Sequence, residues 1–258
     1  RCNAEYIVLC NADTIANIDL SAAIKSHIEK NADVTIVYHK GKPPVNNADL
    51  MLFEINKAKK IESINFETET DENTDYYAGV AVISRELLMK LVKDAYSEGQ
   101  ISFTRDVLAE MTDKLKIYGF EHKEFVAIFD GTDAYYNASM ALLDTKVRRQ
   151  LFGTGRPIFT KTRDDMPTRY GTKSNVKNSI IADGCVINGT VKNSILFRGV
   201  TVEKDAVVEN CILMQETAVG AAADINNVIA DKNAVIGDNM VLKGTPEKCV
   251  FVKKNQIL

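Results

Sequence analysis

The sequence predicts an α/β domain, Rossmann-like but incomplete, followed by a left-handed parallel β-helix of hexapeptide repeats. The β-helix is carried by one phrase that occurs four times: Val176-Lys-Asn-Ser-Ile-Ile181, Val191-Lys-Asn-Ser-Ile-Leu196, Val208-Glu-Asn-Cys-Ile-Leu213 and Ile225-Asn-Asn-Val-Ile-Ala230, starting 15, 17 and 17 residues apart. Aliphatic residues six apart link the copies, as in Leu196-Val202-Val208, Leu213-Val219-Ile225 and Ala230-Ile236-Leu242, with Ile181 and Ile187 before them. A six-residue apolar period, three sides to a coil of about 17 residues, marks a hexapeptide β-helix with one inward side chain per side. Gly184, Gly199, Asp205, Gly220 and Asn233 fall between units, where turns belong. One coil cannot cover its own inner face, so stacked coils stabilise one another. A β-sandwich with regular turns is the plainer alternative.

The α/β half is carried by a strand, helix and strand in succession. Tyr6 to Cys10 is a short continuous apolar run, as expected of a strand covered on both faces, and it runs into Asn11-Ala-Asp13-Thr14. Ile18 to Lys30 has a helical stripe at Leu20, Ala23, Ile24 and Ile28, and Val34 to Tyr38 is a second buried strand. Such a βαβ unit predicts a mostly parallel sheet, with Asp13 at the strand end where α/β sheets bind ligands.

The remaining elements follow in order. Gly41-Lys-Pro-Pro44 breaks the chain, and Leu50 to Ile55 with Lys60 to Phe66 reads as a hairpin. Glu67 to Asp75 is acidic and reads as a solvated loop. Tyr77 to Ile83 is strand, and Arg85 to Tyr96 is helix with Leu87, Leu88, Leu91 and Val92 inward. Ser102-Phe-Thr-Arg-Asp106 opens a helix through Met111, two strands follow at Lys116–Phe120 and Phe125–Phe129, and Asp133 to Leu151 reads as one long helix. The expected division is an α/β domain over 1–151, a Gly- and Pro-punctuated linker over 152–172, and the β-helix over 173–258.

With 258 residues, 45% apolar, the chain has room for two modest domains. A net charge of −3 gives no basic footprint for nucleic acid, and no apolar run approaches bilayer length, so neither nucleic acid nor membrane is an expected partner. Five scattered cysteines, Cys2, Cys10, Cys185, Cys211 and Cys249, form no CxxC pair, which argues for free thiols in a reducing cytoplasm. Cys185 and Cys211 read as small packing residues. The chain opens Arg1-Cys2-Asn3 without an initiator Met and is expected to be an N-terminally truncated fragment.

Val8-Leu-Cys-Asn-Ala-Asp13-Thr-Ile-Ala-Asn-Ile-Asp19 is similar to a segment of glucose-1-phosphate adenylyltransferases. Ala32 to Ile36, Tyr77-Ala-Gly-Val80, Ser102 to Asp106, Tyr135 to Leu143, Gly189 to Val200 and Glu209 to Gln215 continue the likeness, which covers nearly the whole chain. The resemblance implies a nucleotidyltransferase domain, and the reaction of ATP with glucose 1-phosphate to ADP-glucose and pyrophosphate in glycogen biosynthesis. It implies Mg²⁺, held by two aspartates whose matching positions are Asp13 and Asp106. Phosphoryl transfer needs such neutralising charge. From the residues alone, Asp13 equally caps the following turn, and Asp106 reads as a carboxylate favoured in the first turn of its helix.

Departures from the family pattern concern charge. The family's Gly-rich loop, with its catalytic Arg, would lie before this chain begins. Its Glu-Lys-Pro, whose Lys binds the sugar phosphate, should fall near Phe66-Glu-Thr68, where no Lys stands. Its Asp-Val-Gly-Thr is replaced by Phe129-Asp-Gly-Thr132. Losing an ammonium against a phosphate removes a charge-assisted contact. These losses resemble the regulatory-type glycogen subunit of Gram-positive bacteria, weakly or non-catalytic, with a catalytic adenylyltransferase subunit as partner in a homo- or hetero-oligomer. The fragment alone is expected to be inactive and no catalytic residue is assigned. A catalytic enzyme completed by its N-terminal part is the alternative. Acyl transfer by a β-helix enzyme would need a histidine between coils. His27, His39 and His122 all precede the β-helix; His27 reads as a boundary residue, the others as solvated strand ends. Arg148, Arg149 and Arg156 could bind an anionic effector or simply favour a helix C-terminus.

Overall fold

The computed structural model of the protein describes residues 3–43, 50–67, 73–153, 155–160 and 163–258. Cys2, Pro44, Thr68 and most of the acidic run therefore lie outside the described residues. Contacts divide the chain into two compact units, Arg1–Asp130 and Gly131–Leu258.

The first unit runs β1 (Tyr6–Cys10), β2 (Thr14–Ala16), α1 (Leu20–Glu29), β3 (Val34–Gly41), β4 (Leu50–Ile55), β5 (Ile61–Glu67), β6 (Thr74–Ser84), α2 (Arg85–Glu98), β7 (Ile117–Glu121) and β8 (Val126–Ile128). The main sheet has the order β5-β4-β6-β3-β7, with β1 also on β6, and β2 pairs β8 separately. It is mixed rather than mostly parallel: β6 is antiparallel to β1, β3 and β4, and of the main-sheet pairs only β3 with β7 is parallel. The reason is the eleven-residue β6, which inserts between β1 and β3 and keeps those two parallel to each other without pairing them. The β4–β5 hairpin forms as expected.

Helix α1 starts where Asp19 accepts a bond from the Ala22 amide at 2.9 Å. Its buried face is Ala23 and His27, whereas Ile28 is 54% exposed. The apolar stripe is thus rotated toward His27, because the imidazole finds a partner inside: Nδ1 lies 2.9 Å from Thr35 Oγ1, and the ring meets Tyr6 edge-on. Burial holds the His27 pKa below its ordinary value. His122 is buried too, and His39 Nδ1 lies 2.8 Å from its carbonyl oxygen, so neither is a solvated strand end. In α2, Leu91 is buried but Val92 is 53% exposed, contrary to the inward assignment.

The second unit opens with α3 (Thr132–Ala141) and α4 (Thr145–Phe152). The single long helix expected from Asp133 is broken at Leu142–Asp144. Asp144 caps α4 by accepting from the Lys146 amide at 2.7 Å, and the Arg148 guanidinium donates to the Leu142 and Leu143 carbonyls at 2.6 and 2.8 Å. Residues expected to close the α/β domain and form a linker, 132–172, lie in the same unit as the coils.

Those coils form a parallel β-solenoid with five strands on each of three sides. The repeated phrase stacks in register: Val176, Val191, Val208, Ile225 and Leu242 on one side; Ile181, Leu196, Leu213, Ala230 and Val252 on the next. Ile187, Val202, Val219 and Ile236 form the third stack. From Val191 to Ile236 these inward residues are at most 1% exposed. The Asn of each phrase, Asn178, Asn193, Asn210 and Asn227, turns its corner with φ between 44° and 53°, a left-handed backbone that Asn tolerates better than most residues. Gly184 and Gly199 do the same at a second corner. At the third it is Asp205, Ala222 and Asn239, so Ala222 rather than Gly220 makes the turn. Cys185 and Cys211 are buried packing residues, as expected. Between Ile187 and Val191 the third corner is two residues shorter than between Val202 and Val208. A hollow of about 180 Å³, lined by Lys173, Asn188 and Lys204 among others, opens there.

The second apolar residue of each phrase faces outward, and on most coils it is covered. Ile212 and Ile229 are at most 1% exposed because Tyr136 of α3 packs on them, with Tyr135, Met140, Phe197 and Cys249 around. The Tyr136 hydroxyl lies 2.8 Å from the Asn210 carbonyl oxygen and 3.0 Å from Asn227 Oδ1.

Candidate functional site

The first unit holds a cleft of about 260 Å³ at the end of β1. Asn11, Asp13 and Thr14 line it from the chain leaving β1, Leu50 and Met51 from β4, Tyr77 from β6, Ser102 and Thr104 from the turn after α2, and Ile128 from β8. Its shape depends on a β-bulge. The β3–β6 register shifts between Val37 and Tyr38, leaving Ala78 and Gly79 extra, and Gly79 has φ +71°. A Cβ at Gly79 would lie 2.4 Å from Thr14 Oγ1, so the bulge lets the Asn11–Thr14 segment approach the sheet. The Asn11 amide then donates to the Gly79 carbonyl at 2.7 Å, and the Phe129 amide donates to the Asp13 carbonyl at 2.8 Å.

Asp13 is exposed, with the Thr14 hydroxyl donating to its Oδ1 at 3.3 Å. Asp106 serves differently. Phe103–Leu108 is a π-helical turn in place of the regular helix expected, and Asp106 Oδ2 accepts from the Ile101 and Ser102 amides at 2.8 and 2.7 Å. Those bonds hold its carboxyl below the ordinary pKa. Ser102 Oγ in turn accepts from the Arg105 amide, and the Arg105 guanidinium lies over the Phe66 ring at 4.8 Å. Burial, with Cys10 and Asp13 nearby, pushes the Tyr77 hydroxyl up, so it stays a neutral donor.

Magnesium can be tested against this donor set. Asp13 offers one exposed carboxylate, while one oxygen of Asp106 is engaged by two amides. Among the described residues no group of three or more His, Cys, Asp or Glu gathers to hold a metal ion. Mg²⁺ is ordinarily held by one or two carboxylates together with phosphates and water, so Asp13 and Asp106 remain its candidate ligands, and no chemical step through the ion follows from them. Of the three arginines, Arg148 is engaged by helix-end carbonyls, Arg149 is exposed and Arg156 is half-buried.

Sequence reasoning found Asp13 but missed the hydroxyl groups around it. Ser102 and Thr104 stood inside a motif singled out for its aspartate, and Gly79 was legible as an isolated glycine in a strand, a signal of bulge or close approach.

Residues 164–248 match the family described as GlmU-like, C-terminal hexapeptide, which covers most of the solenoid. Over 257 residues the chain is 36% identical to the glycogen biosynthesis protein GlgD of Geobacillus stearothermophilus and 31% identical to GlgD of Bacillus subtilis strain 168. Each alignment covers 100% of this chain. The chain is similar to these two GlgD proteins along its whole length. It is also 29% identical over 253 residues, 95% of the chain, to the glucose-1-phosphate adenylyltransferase of Bacillus mycoides strain KBAB4. It spans 65% of the length of each of these relatives. Among the described residues no helix is long and apolar enough to cross a membrane.

Proposed function

We propose that this chain forms part of a regulatory-type subunit of a glucose-1-phosphate adenylyltransferase in glycogen synthesis, weakly catalytic or non-catalytic, which modulates a catalytic partner subunit. The observation that carries the reading is the charge of the cleft: its described lining holds a carboxylate and hydroxyls but no Lys, Arg or His. Transfer between ATP and a sugar phosphate depends on cations placed around the phosphates, and the described lining residues supply none. What these residues do is bind and orient. Tyr77, Ser102 and Thr104 offer hydroxyls, Asp13 an acceptor, and Leu50 with Met51 an apolar wall.

Magnesium, ATP and glucose 1-phosphate then belong chiefly to the partner's site, and the solenoid supplies stacking surface for a homo- or hetero-oligomer. The proposed setting is the cytoplasm, which suits buried thiols such as Cys211, whose pKa burial pushes up to about 12. The exposed carboxylate of Asp13 at the end of β1 favours a second reading, in which the protein containing this chain is itself catalytic.

Pyrophosphate release from ATP and glucose 1-phosphate with Mg²⁺ separates the two. The protein containing this chain is measured alone and mixed with a catalytic adenylyltransferase. The regulatory reading expects little release alone and altered turnover in the mixture. Robust release alone, abolished by Asp13→Asn, would make the protein catalytic.

A further inference from the structure

We propose that the hollow at the shortened third corner of the solenoid binds a compact anion that carries its own proton donor, such as hydrogen phosphate or an acidic amino acid. The strand pairing of Tyr170 with Ile187 and of Ile187 with Val202 aligns three corner segments on successive coils: Gly171-Thr-Lys-Ser174, Asn188-Gly189 and Glu203-Lys-Asp-Ala206. The two residues missing from the middle coil correspond to Thr172-Lys173 on the coil before it and Lys204-Asp205 on the coil after it. Those four residues, with Gly171 and Asn188, line the hollow. Coils stack at the strand spacing of about 4.8 Å, so the flanking turns face each other across about 9–10 Å, a gap one coil thick.

Both lips are closed turns. The Ser174 amide donates to the Gly171 carbonyl at 3.0 Å and the Ala206 amide to the Glu203 carbonyl at 3.3 Å, with Asp205 at φ 60°. Between them, a Cβ at Gly171 would stand 2.5 Å from Asn188 Oδ1, so the absent side chain lets the Asn188 carboxamide lie tight against that backbone. Lys173 and Lys204 share the hollow with Asp205, yet among the described residues neither ammonium makes an ion pair or hydrogen bond. Two cations and one carboxylate are thus presented unpaired, beside the Thr172 hydroxyl and the Asn188 carboxamide. The lysines attract an anion. An ionised carboxylate only accepts hydrogen bonds, so Asp205 selects an anion with a proton to give. Hydrogen phosphate offers its P–OH and an acidic amino acid its α-ammonium, whereas sulfate and succinate carry no donor at neutral pH. At about 180 Å³ the hollow is smaller than the roughly 300 Å³ at which pockets for drug-sized ligands begin, so it suits a compact ion and is too small for a nucleotide.

The test is a nuclear magnetic resonance titration of the isotope-labelled protein at neutral pH and low ionic strength, with phosphate compared against sulfate and aspartate against succinate. The signals followed are the Asn188 side-chain amide and the Lys173 and Lys204 backbone amides. At least one of the two proton-bearing anions is expected to move these signals and to bind about tenfold more tightly than its proton-free counterpart. Lys173→Gln and Lys204→Gln, both at exposed positions, should each weaken that binding by about fivefold. Asp205→Asn, which suits the left-handed backbone there, should erase the preference within the pair. Unchanged thermal melts show that the variants are folded. The proposal is overturned if neither phosphate nor aspartate moves the Asn188 signal, if each binds no more tightly than its counterpart, or if the lysine substitutions leave the affinity unchanged. Shifts confined to other residues place the ion elsewhere and overturn it equally. None of these outcomes depends on whether the protein is catalytic.

Discussion

Tyr136→Phe isolates one oxygen and reports on how α3 is held against the solenoid. The ring is 4% exposed, and its hydroxyl reaches the Asn210 carbonyl and Asn227 Oδ1 at 2.8 and 3.0 Å. A hydroxyl has one proton, so it makes one of these bonds at a time. Asn227 cannot easily turn its amide oxygen elsewhere, because its Nδ2 already donates to Asn226 Oδ1 at 2.6 Å and to the Gly244 carbonyl at 3.2 Å. The substitution thus removes a bond worth about 1 kcal/mol and leaves an acceptor under-satisfied, for a loss of about 1–2 kcal/mol. Tyr136→Ala also removes the ring from Ile212 and Ile229 and should cost about 3–5 kcal/mol. Amide hydrogen exchange in α3 is the appropriate assay, since it reads local opening rather than global unfolding of a two-unit chain. Protection in α3 should fall by about tenfold for Tyr136→Phe, the factor that 1.4 kcal/mol sets. A double-mutant cycle with Asn227→Ala should recover a coupling of at least about 0.5 kcal/mol. Unchanged α3 protection in Tyr136→Ala would refute the packing argument altogether.

Other perturbations test the remaining structure. Val208→Asp buries an unpaired carboxylate in the middle of an apolar stack and should cost several kcal/mol, enough to lose the folded solenoid by circular dichroism; a stable variant would mean the coil register is wrong. Gly79→Ala forces a side chain into a left-handed position and against Thr14, so it should destabilise by about 2 kcal/mol in urea titration and displace Asp13, read as an altered chemical shift of its carboxyl. His27, with its folded pKa depressed by burial, favours folding fully above its unfolded value near 6.5. That contribution is lost as pH falls below it, toward the folded pKa. His27→Gln should flatten the melting-temperature profile in that acidic window, and an unchanged profile would remove His27 as its source.

The solenoid was legible because its period is enforced by geometry. Stacked parallel strands require equivalent residues at each level, so Val176, Val191, Val208 and Ile225 announce their contact in the one-dimensional spacing. The outward member of each phrase carried information that went unread. Two adjacent aliphatics per phrase imply a covering element, and Tyr136 supplies it from a helix assigned to the other domain. In the first unit the strands other than the three-residue β2 were legible, but beyond the β4–β5 hairpin their directions were not. A βαβ pattern is indifferent to a later strand inserted between its two members, which is what β6 does. Asp13 was found through its place at a strand end, whereas the hydroxyls of Ser102 and Thr104 reach the same cleft through a turn whose π geometry leaves no periodic trace.

The shortened corner between Ile187 and Val191 separates two kinds of change that most folds couple. Two residues are missing, yet Val191 still pairs with Val208, and Ile187 with Val202, in uninterrupted register. Chain length at a corner is therefore a variable of the outer surface alone. A lineage can carve a hollow there, or extrude a loop, without renegotiating a single inward side chain.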